Sequence, residues 1–242
     1  MIREDHYRAK LPFRARGHAA LVRLAGGVFA DIDDRLRVRD TVRVLELGCG
    51  YGSVLLELRH RYGARVELCG INRQHADGNP DILLRNGIER GLIAPDSPTD
   101  SLPSITYADV AHGLPFGDDA FDVVYSQVAW LYFANKVAVL REVGRVLRPD
   151  GIAKIDADEL RPALPPEYAR LVEIWDEGRL VPFGAYLREF GMEFATAPDG
   201  EYLRFGKAPR FGLDLELVFQ IDLSEIDAHW DGVKCVYRRT RA

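Results

Sequence analysis

The sequence predicts a doubly wound α/β fold, in which helices cover both faces of a mostly parallel β-sheet. Strand-like and helix-like runs alternate through the first two thirds of the 242 residues, and this order builds such a sheet. Near the C-terminus several strand-like runs follow one another without helices, which predicts an antiparallel hairpin at one edge. We therefore expect an N-terminal helical lid at 1–40 and one domain at 41–242. Within that domain, 42–158 form the core, and 159–242 form C-terminal helices and the edge hairpin.

The segment before the first strand is predicted to be helical. Leu21, Leu24, Val28 and Ile32 recur at spacings of three and four residues, as on the apolar face of a helix. The pair Gly26-Gly27 interrupts this pattern, and glycine disfavours a helix interior. The helix is expected to break or bend there.

A βαβ unit comes next. The run "VRVLEL" reads as the first strand, "SVLLELRHRYG" as a helix that ends at Gly63, and "RVELCGIN" as a second strand that ends at Asn72.

The remaining core elements follow in order. "DILLRNGIERGLI" predicts a helix, while "ITYADV" and "FDVVYSQ" predict short strands. Phe133, Val137, Leu140, Val143 and Leu147 form the apolar stripe of a further helix. "RPDG" suits a type I turn, and "IAKIDA" begins a fifth strand.

The C-terminal third has a different order of predicted helices and strands. "PPEYARLVEIWDEG" and "FGAYLREFG" read as helices, and "EYLRFGKA", "LDLELVFQIDL" and "VKCVYRRT" read as strands. A separate C-terminal domain is the alternative, but it would have few residues with which to bury a core.

Composition narrows the function. A net charge of −5 argues against a dedicated nucleic-acid binder. The N-terminal segment is nevertheless basic through Arg8, Lys10, Arg14, Arg16 and Arg23, either as a solvated face or as a rim that steers anions. The three cysteines lack the spacing of a zinc or redox site, and no signal peptide or membrane-spanning run is evident, so we expect a soluble cytoplasmic protein.

The stretch "VLELGCGYGS" places an acid, Glu46, just before a glycine turn. A dinucleotide site needs a third small residue where this chain has Ser53, and the phosphate-binding loop of nucleoside triphosphatases is missing. The Glu46 carboxylate would also repel a phosphate in a partly dehydrated cleft. The turn therefore favours a ligand with positive charge and no phosphate, and S-adenosylmethionine, which carries an ammonium and a sulfonium, fits that description.

Several motifs in order give the chain a family resemblance. "VLELGCGYG", "VELCGIN", "ITYADVAHGLPFGDDAFDVVYSQ" and "LREVGRVLRPDGIAKI" resemble the motifs of class I S-adenosylmethionine-dependent methyltransferases of the small-molecule branch, which have a Rossmann-like fold. The resemblance runs from about Val42 to Ile155 and implies S-adenosylmethionine as cofactor. The positions that it assigns to the cofactor are Glu46, Gly48, Cys49, Gly50, Gly52, Asn72, Asp109, Val110 and Gln127.

Asn72 departs from the family pattern, which has Asp or Glu at the end of the second strand to bind the ribose hydroxyls. An amide can pair with hydroxyls without charge assistance, so cofactor affinity is expected to be lower, or a neighbour such as Gln74 assists. We also expect Gly50→Val to block the cofactor site, because the backbone must approach the ligand there.

The acceptor side offers candidates with competing interpretations. His112 is the first candidate general base, although loop histidines are commonly surface polar groups; His6 and His18 are further candidates. Trp130, Tyr132 and Tyr7 are candidates for the substrate pocket, while core packing explains these aromatic residues equally well. Cys49 is either activated by a helix N-terminus or structural, and we favour the structural role. No residue cluster suggests a metal.

The predicted function is methyl transfer from S-adenosylmethionine to an O, N or C atom of a small organic acceptor, by in-line displacement. A catalytically silent module that binds the cofactor or its product is the alternative, and Asn72 keeps it open. A nicotinamide-dependent reductase is disfavoured by Ser53 and Glu46. The expected partner is a small-molecule substrate, with no nucleic acid and no membrane, and the chain is expected to be a monomer or homodimer.

Overall fold

The computed structural model describes 7–8, 10–11, 14–98, 101–133, 136–156, 173–176, 179–182, 187, 193–207, 226–230 and 235–239. Its helices are α1 (His18–Ala25), α2 (Phe29–Leu36), α3 (Ser53–Tyr62), α4 (Pro80–Glu89) and α5 (Lys136–Val146). Its first five strands are β1 (Val42–Leu47), β2 (Val66–Asn72), β3 (Ser104–Tyr107), β4 (Phe121–Ser126) and β5 (Leu147–Asp156). The later strands are β6 (Glu173–Asp176), β7 (Arg179–Pro182), β8 (Glu193–Ala197), β9 (Gly200–Gly206), β10 (Ile226–Trp230) and β11 (Cys235–Arg239).

Seven strands form one mixed sheet in the order β3-β2-β1-β4-β5-β9-β8. The first five pair in parallel, whereas β9 pairs antiparallel with β5 and β8 antiparallel with β9. The predicted α/β fold with an antiparallel hairpin at one edge is thus confirmed, although the hairpin pairs β9 with β8 and not with a later predicted strand. The strand order reverses between β1 and β4, and ligands of open α/β sheets bind beside such a point, at the carboxyl ends of the strands.

Buried side chains cover both faces of the sheet because successive strand residues point to opposite sides. Leu45 and Val124 belong to one apolar cluster, together with residues of α5 such as Leu140. Val44 and Val123 belong to the other, together with residues of α1, α2 and α3. The sheet is therefore the middle layer of three.

The predicted break in the N-terminal helix is confirmed. α1 ends at Ala25, and Gly26 and Gly27 both have left-handed backbone angles, with φ of 73° and 70°. Glycine adopts this conformation without steric cost. The Lys154 ammonium on β5 donates to the Gly27 carbonyl at 3.0 Å and pairs with Asp31 Oδ2 at 2.6 Å. These contacts connect the α1–α2 turn and α2 to the sheet.

Two core elements are shorter than the sequence suggested. α4 ends at Glu89 instead of Ile93, with Gly91 in the left-handed region at φ 67° just beyond it. β3 ends at Tyr107, after which Asp109 caps a short 3-10 turn, Val110–His112, by accepting from the Ala111 N–H at 3.0 Å.

The "RPDG" segment lies within β5 instead of forming a separate turn before it. Phe121 of β4 pairs with Leu147 and Val123 with Ile152, so the register jumps between these pairs and 148–151 bulge from the ladder. The segment 114–116, "LPF", contacts α5, because Glu142 accepts from the Leu114 N–H and Arg145 donates to the Phe116 carbonyl.

The C-terminal predictions were partly wrong. Glu173–Asp176 and Arg179–Pro182, expected at the end of a helix and just beyond it, form an antiparallel two-stranded sheet. β9 and β11 match the predicted strands "EYLRFGKA" and "VKCVYRRT". β8 was not predicted. β11 pairs with β10 in a two-stranded sheet outside the main sheet. The strand "LDLELVFQIDL" and nearly all of "FGAYLREFG" lie outside the described residues.

Candidate active site

A cavity of about 340 Å³ opens at the carboxyl ends of β1, β2 and β4. Its walls come from the glycine turn after β1, the end of β2, the turn after β3, the loop after β4 and the N-terminal segment. The lining residues are Lys10, Arg14, Arg16, Glu46, Gly48, Cys49, Gly50, Ile71, Asn72, Arg73, Gln74, Asp77, Ala108, Asp109, Val110, Gln127, Val128, Ala129, Tyr132 and Phe133.

The glycine turn depends on left-handed backbone at three positions. Gly48, Gly50 and Gly52 have φ of 66°, 54° and 65°. A Cβ atom at Gly48 would clash with Ala129 of the β4 loop, and one at Gly52 would clash with Leu83 of α4. Gly52 therefore serves helix packing, and it is not among the residues that line the cavity.

Gly50 has a different neighbour from the one expected. A Cβ atom there would lie 3.0 Å from the Arg14 carbonyl oxygen. The same oxygen accepts from the Tyr51 N–H at 3.1 Å. A side chain at Gly50 would thus push against the N-terminal segment and not into the cavity, which corrects the reason given for the Gly50→Val effect.

Asn72 is committed to backbone groups. Its Oδ1 accepts from the Gly50 N–H at 2.9 Å, and its Nδ2 donates to the Gly50 carbonyl at 3.0 Å and to the Gly78 carbonyl at 3.2 Å. The residue is 3% exposed. The amide therefore joins the glycine turn to the turn that follows β2.

Glu46 lies in the cavity wall and is 4% exposed, and its Oε2 accepts from the Tyr125 hydroxyl at 3.0 Å. Burial raises the pKa of the Glu46 carboxyl to about 8, against the lowering effect of the Tyr125 hydrogen bond. The group is thus mostly protonated at pH 7, so it is not the permanent negative charge that the sequence suggested. A positively charged ligand beside it would favour the ionised form.

The loop after β4 combines strain with an unused donor. Val128 has φ 57°, which is uncommon for a β-branched residue, and its N–H donates to the buried Asp156 carboxylate at 3.0 Å. Beside it, Gln127 is 8% exposed, and its Nε2 is buried without a hydrogen-bond partner. A buried donor of this kind is costly unless a ligand satisfies it.

The basic N-terminal segment reaches the cavity, since Lys10, Arg14 and Arg16 all line it. Arg14 donates to Asp77 Oδ1 at 2.8 Å and to the Ala76 carbonyl at 3.0 Å. For these three residues the interpretation as a merely solvated face was therefore wrong, whereas Arg23 is largely exposed and pairs with Asp199. The cavity contains basic as well as acidic side chains.

Three other predicted cofactor positions line the cavity. Val110 is buried, and Asp109 caps the adjacent turn with a side chain that is 41% exposed. Cys49 lines the cavity too, but burial raises the pKa of its thiol well above the ordinary value. Cys49 is therefore a neutral, structural thiol and not an activated one.

The predicted base is misplaced for catalysis. The His112 side chain is 86% exposed, lies 3.6 Å from Asp109, and is not among the residues that line the cavity. His18 is buried against Phe29 and accepts from the Val28 N–H, so it is a structural residue with a pKa lowered to about 4, mainly by burial. His6 lies outside the described residues.

Among the predicted substrate-pocket aromatics, Tyr132 alone lines the cavity, joined by Phe133. Trp130 is 2% exposed and packs in the core, with its ring 6.1 Å from that of Phe133. Tyr7 is fully buried, stacks on Tyr51 and donates to Glu89. For Trp130 and Tyr7 the core interpretation is the correct one.

The described part of the chain lacks both a metal-binding cluster and a membrane-spanning helix. It contains no group of three His, Cys, Asp or Glu side chains placed to hold a metal ion. It also contains no helix with the length and apolar character needed to cross a membrane.

Comparison with known proteins identifies the domain around this cavity. Residues 45–155 match the family described as "Methyltransferase domain". These residues form a class I, S-adenosylmethionine-dependent methyltransferase domain. S-adenosylmethionine is the cofactor of this domain family.

Named relatives agree with this assignment over part of their length. The chain is 30% identical over 117 residues to a glycine/sarcosine/dimethylglycine N-methyltransferase of Actinopolyspora halophila, covering 48% of this chain and 19% of that one. It is 32% identical over 122 residues to a ubiquinone/menaquinone biosynthesis C-methyltransferase of Xylella fastidiosa, covering 49% and 43%. The chain thus spans less than half the length of these relatives. The chain is also similar to a solved SAM-dependent methyltransferase from Aquifex aeolicus, with 17% identity and a TM-score of 0.46. The match covers 76% of this chain and 91% of that one.

The cavity of this methyltransferase domain suits its cofactor chemically. Glu46 can ionise beside a positively charged ligand, and the donor on Gln127 Nε2 needs an oxygen partner.

Sequence reasoning missed Asp77, Val128 and Asp156, which belong to no motif. A weak signal existed for the turn at Asp77, because Gly78 and the Asn79-Pro80 pair mark a chain reversal before a helix.

Proposed function

We propose that this protein transfers the methyl group of S-adenosylmethionine to a small organic acceptor by in-line displacement. The observation that carries the proposal is the buried, ionisable Glu46 beside a left-handed glycine turn, at the point where the strand order reverses. A carboxyl with a pKa of about 8 accepts a cationic ligand by losing its proton, whereas a phosphate ligand would disfavour its ionised form.

The cofactor supplies an activated methyl group on a sulfonium, so the protein must mainly align donor and acceptor. Glu46, the backbone of Gly48, Cys49 and Gly50, and the side chains of Asp109, Val110 and Gln127 are the proposed cofactor-binding groups. Asn72 supports them by holding the glycine turn. Because Asn72 has this supporting role, it no longer favours a catalytically silent module.

Tyr132 and Phe133 are the proposed wall of the acceptor pocket. The described residues that line the cavity include no histidine, so orientation and not proton abstraction by histidine is the proposed source of rate acceleration. The named relatives act on amino acids in one case and on quinone precursors in the other, so similarity supports a small organic acceptor without selecting its nucleophilic atom.

Two measurements test this proposal in sequence. Calorimetric titration with S-adenosylmethionine is expected to show one binding site, and failure to bind would refute the proposal. Metabolite extracts incubated with the protein and S-adenosylmethionine are then searched by mass spectrometry for a compound that gains one methyl group. A matched sample with excess S-adenosylhomocysteine should lack that product, and binding without any methylated product would refute catalysis.

A further inference from the structure

We propose that Asp77, and not Asn72, supplies the carboxylate that binds the ribose diol of the cofactor. This inference rests on the proposed function and assigns a role that the family pattern gives to another position.

Asn72 has almost no remaining capacity for a ligand. An amide side chain has two N–H donors and one oxygen with two lone pairs. Both donor contacts go to backbone carbonyls, those of Gly50 and Gly78, and the oxygen already accepts from the Gly50 N–H. A carboxylate could not make the two donor bonds, so an acid at position 72 would leave the carbonyls of Gly50 and Gly78 without these partners.

The Asn72 contacts bring a second acid to the cavity. Gly78 packs so closely on Gly50 that a Cβ atom at Gly78 would overlap the Gly50 carbonyl. The 3-10 turn that precedes it, His75–Asp77, therefore lies directly beside the glycine turn. Asp77 ends this turn and lines the cavity, and its side chain is 24% exposed.

Arg14 prepares Asp77 for this role. Its guanidinium bonds Asp77 Oδ1 at 2.8 Å and the Ala76 carbonyl at 3.0 Å, so it orients the carboxylate. A carboxylate can accept from both hydroxyls of a vicinal diol, which a neutral amide such as that of Gln74 cannot do with equal strength. Asp77 thus offers the chemistry of the family's missing acid, five residues later in the chain.

The competing explanation is that Asp77 only anchors Arg14 and the N-terminal segment. Two ligands separate the alternatives: S-adenosylhomocysteine and its 2′-deoxy analogue, each titrated calorimetrically into the full chain. A charge-assisted hydrogen bond to the 2′-hydroxyl should make the wild type bind S-adenosylhomocysteine about tenfold more tightly than the analogue.

Asp77→Ala is expected to bind the two ligands with equal affinity. Arg14→Ala removes the same ion pair but keeps the carboxylate, so it should retain most of the discrimination between the ligands. Asn72→Asp should weaken binding of both ligands, because its carboxylate would face the carbonyls of Gly50 and Gly78. Thermal melts confirm that each variant is folded, and Asp77→Asn replaces Asp77→Ala if the latter is not.

The outcomes are distinct. Retained tenfold discrimination in Asp77→Ala, or tighter binding by Asn72→Asp, would each overturn the assignment to Asp77. A wild type that binds neither ligand would instead contradict the proposed function itself.

Discussion

Two walls of the cavity differ in how their polar groups are satisfied. The β1–β2 wall is made by Glu46, Gly48, Gly50 and Asn72. The Asn72 side chain makes three hydrogen bonds with the backbone of Gly50 and Gly78, and Glu46 accepts one from Tyr125 of β4. The β4 wall, made by Gln127, Val128, Ala129 and Tyr132, contains a left-handed valine and a buried amide donor without a partner. The first wall is thus complete before a ligand binds, whereas the second keeps hydrogen-bonding capacity for one.

The contact between the walls can be broken at Gly48. Gly48→Ala should lower the free energy of unfolding by about 4 kcal/mol, because left-handed strain adds to a clash with Ala129. Gly91 has nearly the same φ, 67° against 66°, but open space around it, so Gly91→Ala should cost only about 1 kcal/mol. Urea denaturation measures both, and Gly48→Ala/Ala129→Gly should recover part of the loss. Equal costs at Gly48 and Gly91 would show that the walls do not meet as described.

Replacing the amide on each wall should have opposite effects. Asn72→Leu removes three hydrogen bonds and leaves buried backbone groups unpaired, so it should lower the free energy of unfolding by about 3 kcal/mol. Gln127→Leu removes a donor that has no partner, so it should raise the free energy of unfolding by about 1 kcal/mol. Chemical denaturation of the ligand-free protein checks both signs. A destabilised Gln127→Leu variant would mean that the β4 wall is as complete as the other.

The strain in the β4 wall can be measured through Asp156. Asp156→Ala leaves the buried Val128 N–H unpaired and should lower the free energy of unfolding by about 2 kcal/mol. Val128→Gly relieves the left-handed strain by about 1 kcal/mol, so the double variant should recover part of the loss. Asp156→Asn retains an acceptor oxygen and serves as the matched control. Absence of any recovery in the double variant would show that Asp156 does not hold this turn.

Local patterns predicted the core of the fold well and the C-terminal part poorly. Alternating apolar runs and terminal glycines located β1, α3 and β2 with ends within a residue or two. β6 and β7 were misread because "VEIW" has apolar residues at spacings that also suit a helix, and pairing with a partner strand decided its state. The start of β5 at Leu147 similarly depends on its partner β4, through the bulge at 148–151.

At the site, sequence motifs located the glycine turn but not the direction of neighbouring side chains. The spacing of His112 from Asp109 could not show that the 3-10 turn directs His112 into solvent. Asp77 and Asp156 act through contacts with Arg14 and Val128, which are 63 and 28 residues away in sequence. Partners at such distances follow from the three-dimensional packing and leave no local pattern.

The pKa of Glu46 gives the most direct test of the account. The folded-state pKa of about 8 lies above the ordinary value of 4.5, so the contribution of this group to stability falls as pH rises from about 4.5 to 8. The fall amounts to at most about 1.4 kcal/mol per pH unit. Binding of a cation should lower this pKa and therefore release a proton.

Calorimetry of S-adenosylmethionine binding at pH 7, in two buffers with different ionisation enthalpies, counts that proton. We expect the wild type to release about one proton and Glu46→Gln to release none. Binding with no proton release by the wild type, or with equal release by Glu46→Gln, would contradict the claim that Glu46 receives the positively charged cofactor.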